Sequence, residues 1–287
     1  MKKIKYLILI CILLLTGCTL FKRDTMENIN IITTIYPLEY STNYLYGESS
    51  VINSIYPDDI DTSTYKLTEK QIKDNSEKDL FIYMGLTSDA DIAVKLINLN
   101  KKLKLIDATF GMEYKNDVSE LWLNPANLLM ILQNIKNGLD EYIDNTYIKM
   151  EINDRYKDLK LELSELDANL KATTQNANRK TIYANSKSAL FLEKYGLTVI
   201  VVDEKHEQYE KNLALLKEAI ENKKVTYFYR LEDTALPKSV KELIEANKLK
   251  ELELRNLKNI TDSERKNKES YVNITEKNID NLKKELY

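Results

Sequence analysis

With 287 residues, 43% of them hydrophobic, the chain can bury one large core or two modest ones, and a formal net charge of −3 leaves no electrostatic footprint for nucleic acid. Six glycines and four prolines exclude Gly-rich phosphate loops, and a single histidine, His206, limits His-based catalysis and multi-His metal sites before any motif is sought. Both cysteines, Cys11 and Cys18, lie in the first 18 residues, so neither a disulfide framework nor a Cys-based zinc site can form downstream.

Lys2, Lys3 and Lys5 precede an apolar run, Tyr6–Leu15, too short to span a bilayer but suited to a signal peptide. The run ends in Leu15-Thr16-Gly17-Cys18, which resembles the bacterial lipoprotein signal, where cleavage before the Cys is coupled to its acylation. Residues 1–17 therefore read as a signal peptide, with Cys18 as the lipidated first mature residue and 18–28 as a polar tether. Two or more acyl chains are needed because each buried CH₂ contributes only about 0.8 kcal/mol. The body is expected on the extracytoplasmic face of the cell membrane.

From 29 to 144 strands and helices alternate. Ile29–Ile35 reads as a strand stopped at Tyr36-Pro37, Leu38–Tyr46 as a helix and Ser50–Tyr56 as a strand ended by Pro57. Thr68–Asn75 is a short helix capped by Thr68 with Gln71 three residues on. Strand Asp79–Met84, helix Ile92–Leu99, strand Leu103–Ile106 and helix Ala126–Ile143 complete this part. A helix over Asn145–Leu170 follows, with an apolar stripe at Ile148, Ile152, Tyr156, Leu159, Leu163, Leu166 and Leu170. At 1.5 Å per residue it is roughly 39 Å long, enough for a spine between two lobes; the spine region is taken as 145–174. From 175 to 287 the alternation returns: strands Lys180–Ala184, Leu197–Val202, Val225–Tyr229 and Lys250–Leu254, with helices Ser186–Tyr195 (ending at Gly196), Tyr209–Asn222, Lys238–Asn247 and Asn273–Leu286. The fold class is α/β: two similar lobes, each a mainly parallel sheet flanked by helices, joined by one long spine helix.

Four stretches, in this order and spacing, carry a family resemblance. They are Thr33-Thr34-Ile35-Tyr36-Pro37-Leu38, Asp79-Leu80-Phe81-Ile82-Tyr83-Met84-Gly85, Leu121-Trp122-Leu123-Asn124-Pro125 and Phe191-Leu192-Glu193-Lys194-Tyr195-Gly196-Leu197. The chain resembles the substrate-binding lipoproteins of zinc or manganese ABC importers. The resemblance implies two α/β lobes on a rigid helical spine, a metal held between the lobes, an ABC permease as partner and only small opening motions. It also implies four ligand positions, usually His, His, His or Glu, and Asp or Glu. Here these positions hold Ser63, Glu120, Asn185 and, by a looser match, Arg255.

Ser63 and Asn185 are neutral oxygen donors, and Arg255 carries a fixed positive charge that repels a divalent ion. The expectation from the residues is therefore a substituted metal site and no cofactor, with weak zinc or manganese binding if any metal is held. Glu120 and Arg255 leave three readings open: an ion pair across the cleft, a small zwitterionic ligand with Arg255 on its carboxylate and Glu120 on its amine, or exposed charges on a relic surface. Asp203, Glu204 and His206 could form an exposed metal site, although a solvated loop is the plainer reading. No nucleophile–base pair at useful spacing argues for an enzyme. The expected function is a membrane-anchored, monomeric substrate-binding protein of a metal-type importer, bound to the bilayer through Cys18 and docking on a permease. The alternative is a surface lipoprotein that reuses the scaffold for adhesion, as an accessory subunit, or for a small polar ligand.

Overall fold

Among the described residues, eight strands form two separate sheets with the same strand order. The computed structural model describes residues 26–62, 64–232 and 234–287; Cys11 and Cys18 lie outside them. The first lobe runs β1 (Ile29–Thr33), α1 (Tyr36–Tyr46), β2 (Ser50–Ser54), α2 (Glu69–Ser76), β3 (Leu80–Tyr83), α3 (Asp89–Leu99), β4 (Lys104–Asp107), α4 (Glu120–Leu123) and α5 (Pro125–Tyr142). Its strands are parallel, in the order β2-β1-β3-β4. Leu80, Phe81 and Ile82 are wholly buried, as a central parallel strand covered by helices on both faces requires. Helix α5 packs so closely on β4 that a Cβ at Gly138 would fall 2.6 Å from Ile106 Cγ1.

The spine helix, α6, spans Thr146–Gln175, five residues beyond the expected Leu170. Asn145 starts it by accepting from the N–H groups of Tyr147 and Ile148. Ile148, Ile152, Leu159, Leu163, Leu166 and Leu170 are buried as their periodicity predicts, and Tyr156 is half-buried. One helix thus meets both lobes: the Tyr44 hydroxyl of α1 donates to Glu162 (3.0 Å), and the Tyr195 hydroxyl of the second lobe lies 2.8 Å from Asp167 Oδ1.

The second lobe runs β5 (Thr181–Ala184), a 3₁₀ helix (Lys187–Tyr195), β6 (Thr198–Val201), α7 (Tyr209–Glu221), β7 (Tyr227–Leu231), α8 (Lys238–Asn247), β8 (Lys250–Leu254), α9 (Asp262–Lys266) and α10 (Tyr271–Leu286). Its parallel order, β6-β5-β7-β8, repeats the first. The segment expected as an α-helix over Ser186–Tyr195 is wound more tightly, with the Ala189 N–H donating to Ser186 O three residues back (3.2 Å). It ends at Gly196 with φ +83°, a left-handed C-terminal residue as expected. Helix α9 was not anticipated, although Thr261 and Glu264 form the capping box that announces it.

After β8 the chain returns to the first lobe as a strap, residues 255–270. The Tyr36 N–H donates to Lys258 O (3.1 Å), and the Asn259 amide donates to the carbonyls of Pro57 (3.2 Å) and Ile60 (3.1 Å). Arg265 forks onto Glu39 (2.7 and 3.1 Å) and Asp58 (2.5 and 2.8 Å). Its basicity is raised chiefly by the hydrogen bonds to Asp58 and Glu39. The lobes are therefore held by the spine on one side and by the strap on the other.

Candidate functional site

In parallel α/β sheets ligands sit beyond the carboxyl ends of the strands. The loops leaving those ends meet along the boundary between lobes, where three cavities open. One of about 610 Å³ is lined by Glu120, Asn124, Phe191 and Lys194 among others. A second, of about 360 Å³, takes in Asp59, Thr62, Glu232 and Arg255. A third, of about 280 Å³, lies between Tyr56, Asp89, Trp122 and Lys258.

The described family-ligand positions, Glu120, Asn185 and Arg255, do not converge on one of these cavities. Ser63 lies outside the described residues. The Glu120 carboxylate turns back on its own loop and accepts from the backbone N–H groups of Lys115 (3.1 Å), Asn116 (2.9 Å) and Asp117 (3.3 Å). Asn185 is fully buried and saturated: its amide donates to Leu231 O (3.0 Å) and Thr234 O (2.5 Å), and its oxygen accepts from the Leu231 N–H (2.7 Å). Arg255 grips Glu264 with Nε (2.8 Å) and Nη2 (3.0 Å), contacts Glu232 through Nη1, and donates to Asn259 O (3.3 Å).

The reading of Glu120 and Arg255 as an ion pair across the cleft is therefore corrected. Each finds partners within a few residues or in its own lobe, and such local partners need less chain ordering than a bridge between lobes. Glu120 and Arg255 also line different cavities, so the two do not face one common site. Glu120→Ala is accordingly expected to cost only about 1–2 kcal/mol, since water can reach the exposed Lys115 and Asn116 amides and the partly exposed Asp117 amide it frees. Urea unfolding measures the loss, and faster amide exchange at Lys115, Asn116 and Asp117 locates it. A loss near 4 kcal/mol would reinstate a buried partner.

The loop at Asp203–His206 is also self-contained: the Lys205 N–H donates to Asp203 Oδ1 (3.1 Å) and the Gln208 N–H to His206 Nδ1 (3.1 Å). Among the described residues no three His, Cys, Asp or Glu side chains group closely enough to hold a metal ion. The residues that sequence reasoning passed over are Glu39, Asp58 and Arg265, which tie the lobes, and Asp89 with Lys258, which face one cavity. The Thr261–Glu264 capping box was the available signal for α9 and hence for Arg265; nothing in the sequence marks Asp89 as buried.

The profile of the family described as "Zinc-uptake complex component A periplasmic" matches residues 31–285, both lobes and the spine together. The chain belongs to this zinc-uptake family. The zinc-binding lipoprotein AdcA of Streptococcus pneumoniae (strain R6) is 25% identical over 310 residues, covering 99% of this chain and 61% of that protein. The zinc-binding protein AdcA of Streptococcus pyogenes serotype M3 is 22% identical over 288 residues, covering 89% of this chain and 55% of that one. The chain thus spans somewhat more than half the length of these relatives. Among solved structures, the Zn(II)-bound ZnuA-like domain of S. pneumoniae AdcA superposes with a TM-score of 0.75 at 22% identity, over 90% of this chain and 99% of that one. The metal-dependent lipoprotein YcdH of Bacillus subtilis superposes with a TM-score of 0.77 at 20% identity, over 90% and 99%.

These findings correct the expectation that no metal cofactor is involved. The family is defined by zinc uptake, the relatives are zinc-binding proteins, and the AdcA domain holds Zn(II). Four side chains alone do not reveal the metal, whereas the whole two-lobed scaffold carries the relationship. The family's description names a component of a zinc-uptake complex.

Proposed function

We propose that this chain is the extracytoplasmic substrate-binding component of an ABC importer, anchored through acylated Cys18, with zinc as the cargo it delivers to a membrane permease. The observation that carries the reading is the reach of the family match, which takes in both sheets, the spine and the strap rather than one motif. The names of the relatives, zinc-binding lipoproteins, support both the cargo and the anchor.

The donor set is the distinctive part. Zinc prefers about four N, S or O⁻ donors, and of the four family-ligand positions only Glu120 offers an anion. To reach a metal its carboxylate must release the 115–117 amides, which couples zinc capture to opening of that loop. Isothermal titration of the mature chain carrying Cys18→Ala tests this. A saturable Zn²⁺ site weakened about tenfold by Glu120→Ala, the loss of one charged donor, is the expected result. No Zn²⁺ binding up to about 100 µM, a level at which the affinity would be too weak for specific capture, rejects zinc as cargo. Binding that ignores Glu120→Ala removes that residue from the site. Cys18→Ala itself is expected to move the protein from the membrane fraction to the soluble one, because a bare polar tether leaves no acyl chain to bury; retention in membranes refutes the anchor.

A further inference from the structure

The cavity of about 280 Å³ sits at a defined place in the first lobe. In the order β2-β1-β3-β4 the chain steps outward from β1 to β2, then crosses to β3 on the other side. The switch point lies between β1 and β3, where crevices for ligands form in such sheets. Residues just beyond these two strands, Ile35 after β1 and Met84, Thr87, Ser88 and Asp89 after β3, line the cavity, and Lys258 of the strap closes it from the second lobe.

The charges are unusual for an interior. Asp89, the first residue of α3, is only 7% exposed. Burial raises the proton affinity of its carboxyl; hydrogen bonding to Thr34, Thr87 and the Met84 backbone opposes that rise, and the Lys258 ammonium opposes it further. Its charge also reaches Tyr56, whose phenol is pushed up to about 12, mainly by burial and then by Asp89. Thr62 Oγ1, also at the cavity, is shielded from solvent and has no hydrogen-bond partner among the described residues. Ile35, Tyr56, Met84, Val118 and Trp122 give the wall an apolar side, beside the hydroxyls of Thr87 and Ser88.

A lone cation would meet Lys258, and a lone anion would meet Asp89. A bare divalent ion would suffer the first repulsion and leave a space worth roughly nine waters unfilled. A molecule carrying an ammonium and a carboxylate on one small frame answers both charges and covers the apolar wall. The volume is at the low end for ligand pockets. We propose that this cavity binds a free α-amino acid with an apolar side chain, its ammonium on Asp89 and its carboxylate on Lys258, bridging the lobes. The proposal rests on the cavity and its two charges and is independent of the zinc reading.

The test uses the mature chain with Cys18→Ala. A mixture of the twenty α-amino acids at about 1 mM each is expected to raise Tm by at least about 2 °C, as a ligand well above its Kd should. Titration with the amino acids singly then identifies the ligand. Its N-acetyl and methyl-ester derivatives, and the variants Asp89→Asn and Lys258→Gln, should each bind about tenfold more weakly or worse, because each removes one charged contact. Zn²⁺ binding should be the same in both variants as in the parent, so failure of the zinc reading and failure of this one are distinguishable. The half-buried Lys258 provides a milder substitution should Asp89→Asn fold poorly. No Tm rise and no heat with any amino acid overturns the proposal, as does binding that survives both substitutions. Loss of Zn²⁺ binding on Asp89→Asn also overturns it, by giving that carboxylate to the metal.

Discussion

Trp122→Ala is expected to remove about 4 kcal/mol of stability, the largest loss of any single substitution argued for this chain. The indole is 3% exposed, in the core that runs continuously from the first lobe through the spine into the second. It also makes a polar tie between lobes: its Nε1 donates to Asn256 O (2.8 Å), while its own carbonyl accepts from the Tyr271 hydroxyl (2.5 Å). Alanine would leave a large void and take the indole N–H away from the Asn256 carbonyl, in a residue only 3% exposed. Trp122→Phe separates the two contributions. It keeps most of the apolar area and loses the hydrogen bond, at about 1–2 kcal/mol. Urea unfolding of both variants checks this, and an alanine loss below about 1 kcal/mol would mean that the lobes are not joined through this residue.

Arg255→Ala is the second large effect, about 3 kcal/mol at neutral pH. The guanidinium side chain is 16% exposed and holds Glu264, 18% exposed, and Glu232, 37% exposed. Removing it leaves two carboxylates facing each other in a partly desolvated corner and loosens the capping box of α9, from which Arg265 reaches Glu39 and Asp58. The loss should depend on pH. Burial alone would raise the Glu264 pKa, but the bonds from Arg255 and Thr261 outweigh it and leave the value below that of an ordinary glutamate. A carboxyl depressed in the folded state contributes stability that is complete above its unfolded pKa, about 4.3, and is lost as pH falls through the folded value. Parent and Arg255→Ala should therefore differ most near neutral pH and converge below about pH 4. A difference that stays constant down to pH 3 would show that the Glu264 pairing is not its source.

The two substitutions mark where sequence reasoning worked and where it stopped. The Leu121-Trp122-Leu123-Asn124-Pro125 stretch was recognisable, and its surroundings are buried as an apolar run should be. The spine stripe, the Thr68–Gln71 capping box and the Gly196 helix end were equally legible, because each depends on residues a few positions apart. Arg255 was found by position and misjudged by partner. Its linear neighbourhood does not reveal that Glu232, at the end of another strand, and Glu264, nine residues on, would hold its guanidinium. Asn185 looked like a poor ligand but an available one, whereas it is wholly occupied with the backbone around β7.

Local spacing and composition by themselves determined the alternation of strands and helices, the long central helix and the repetition of one lobe plan, because periodic burial is written into consecutive residues. Tertiary structure alone decided which charges meet: Glu120 with its own loop, Arg255 with two glutamates, Arg265 with the other lobe, Asp89 and Lys258 across one cavity. Electrostatic partners are chosen by distance and desolvation in the folded chain, and neither quantity exists until residues tens to hundreds of positions apart have been brought together.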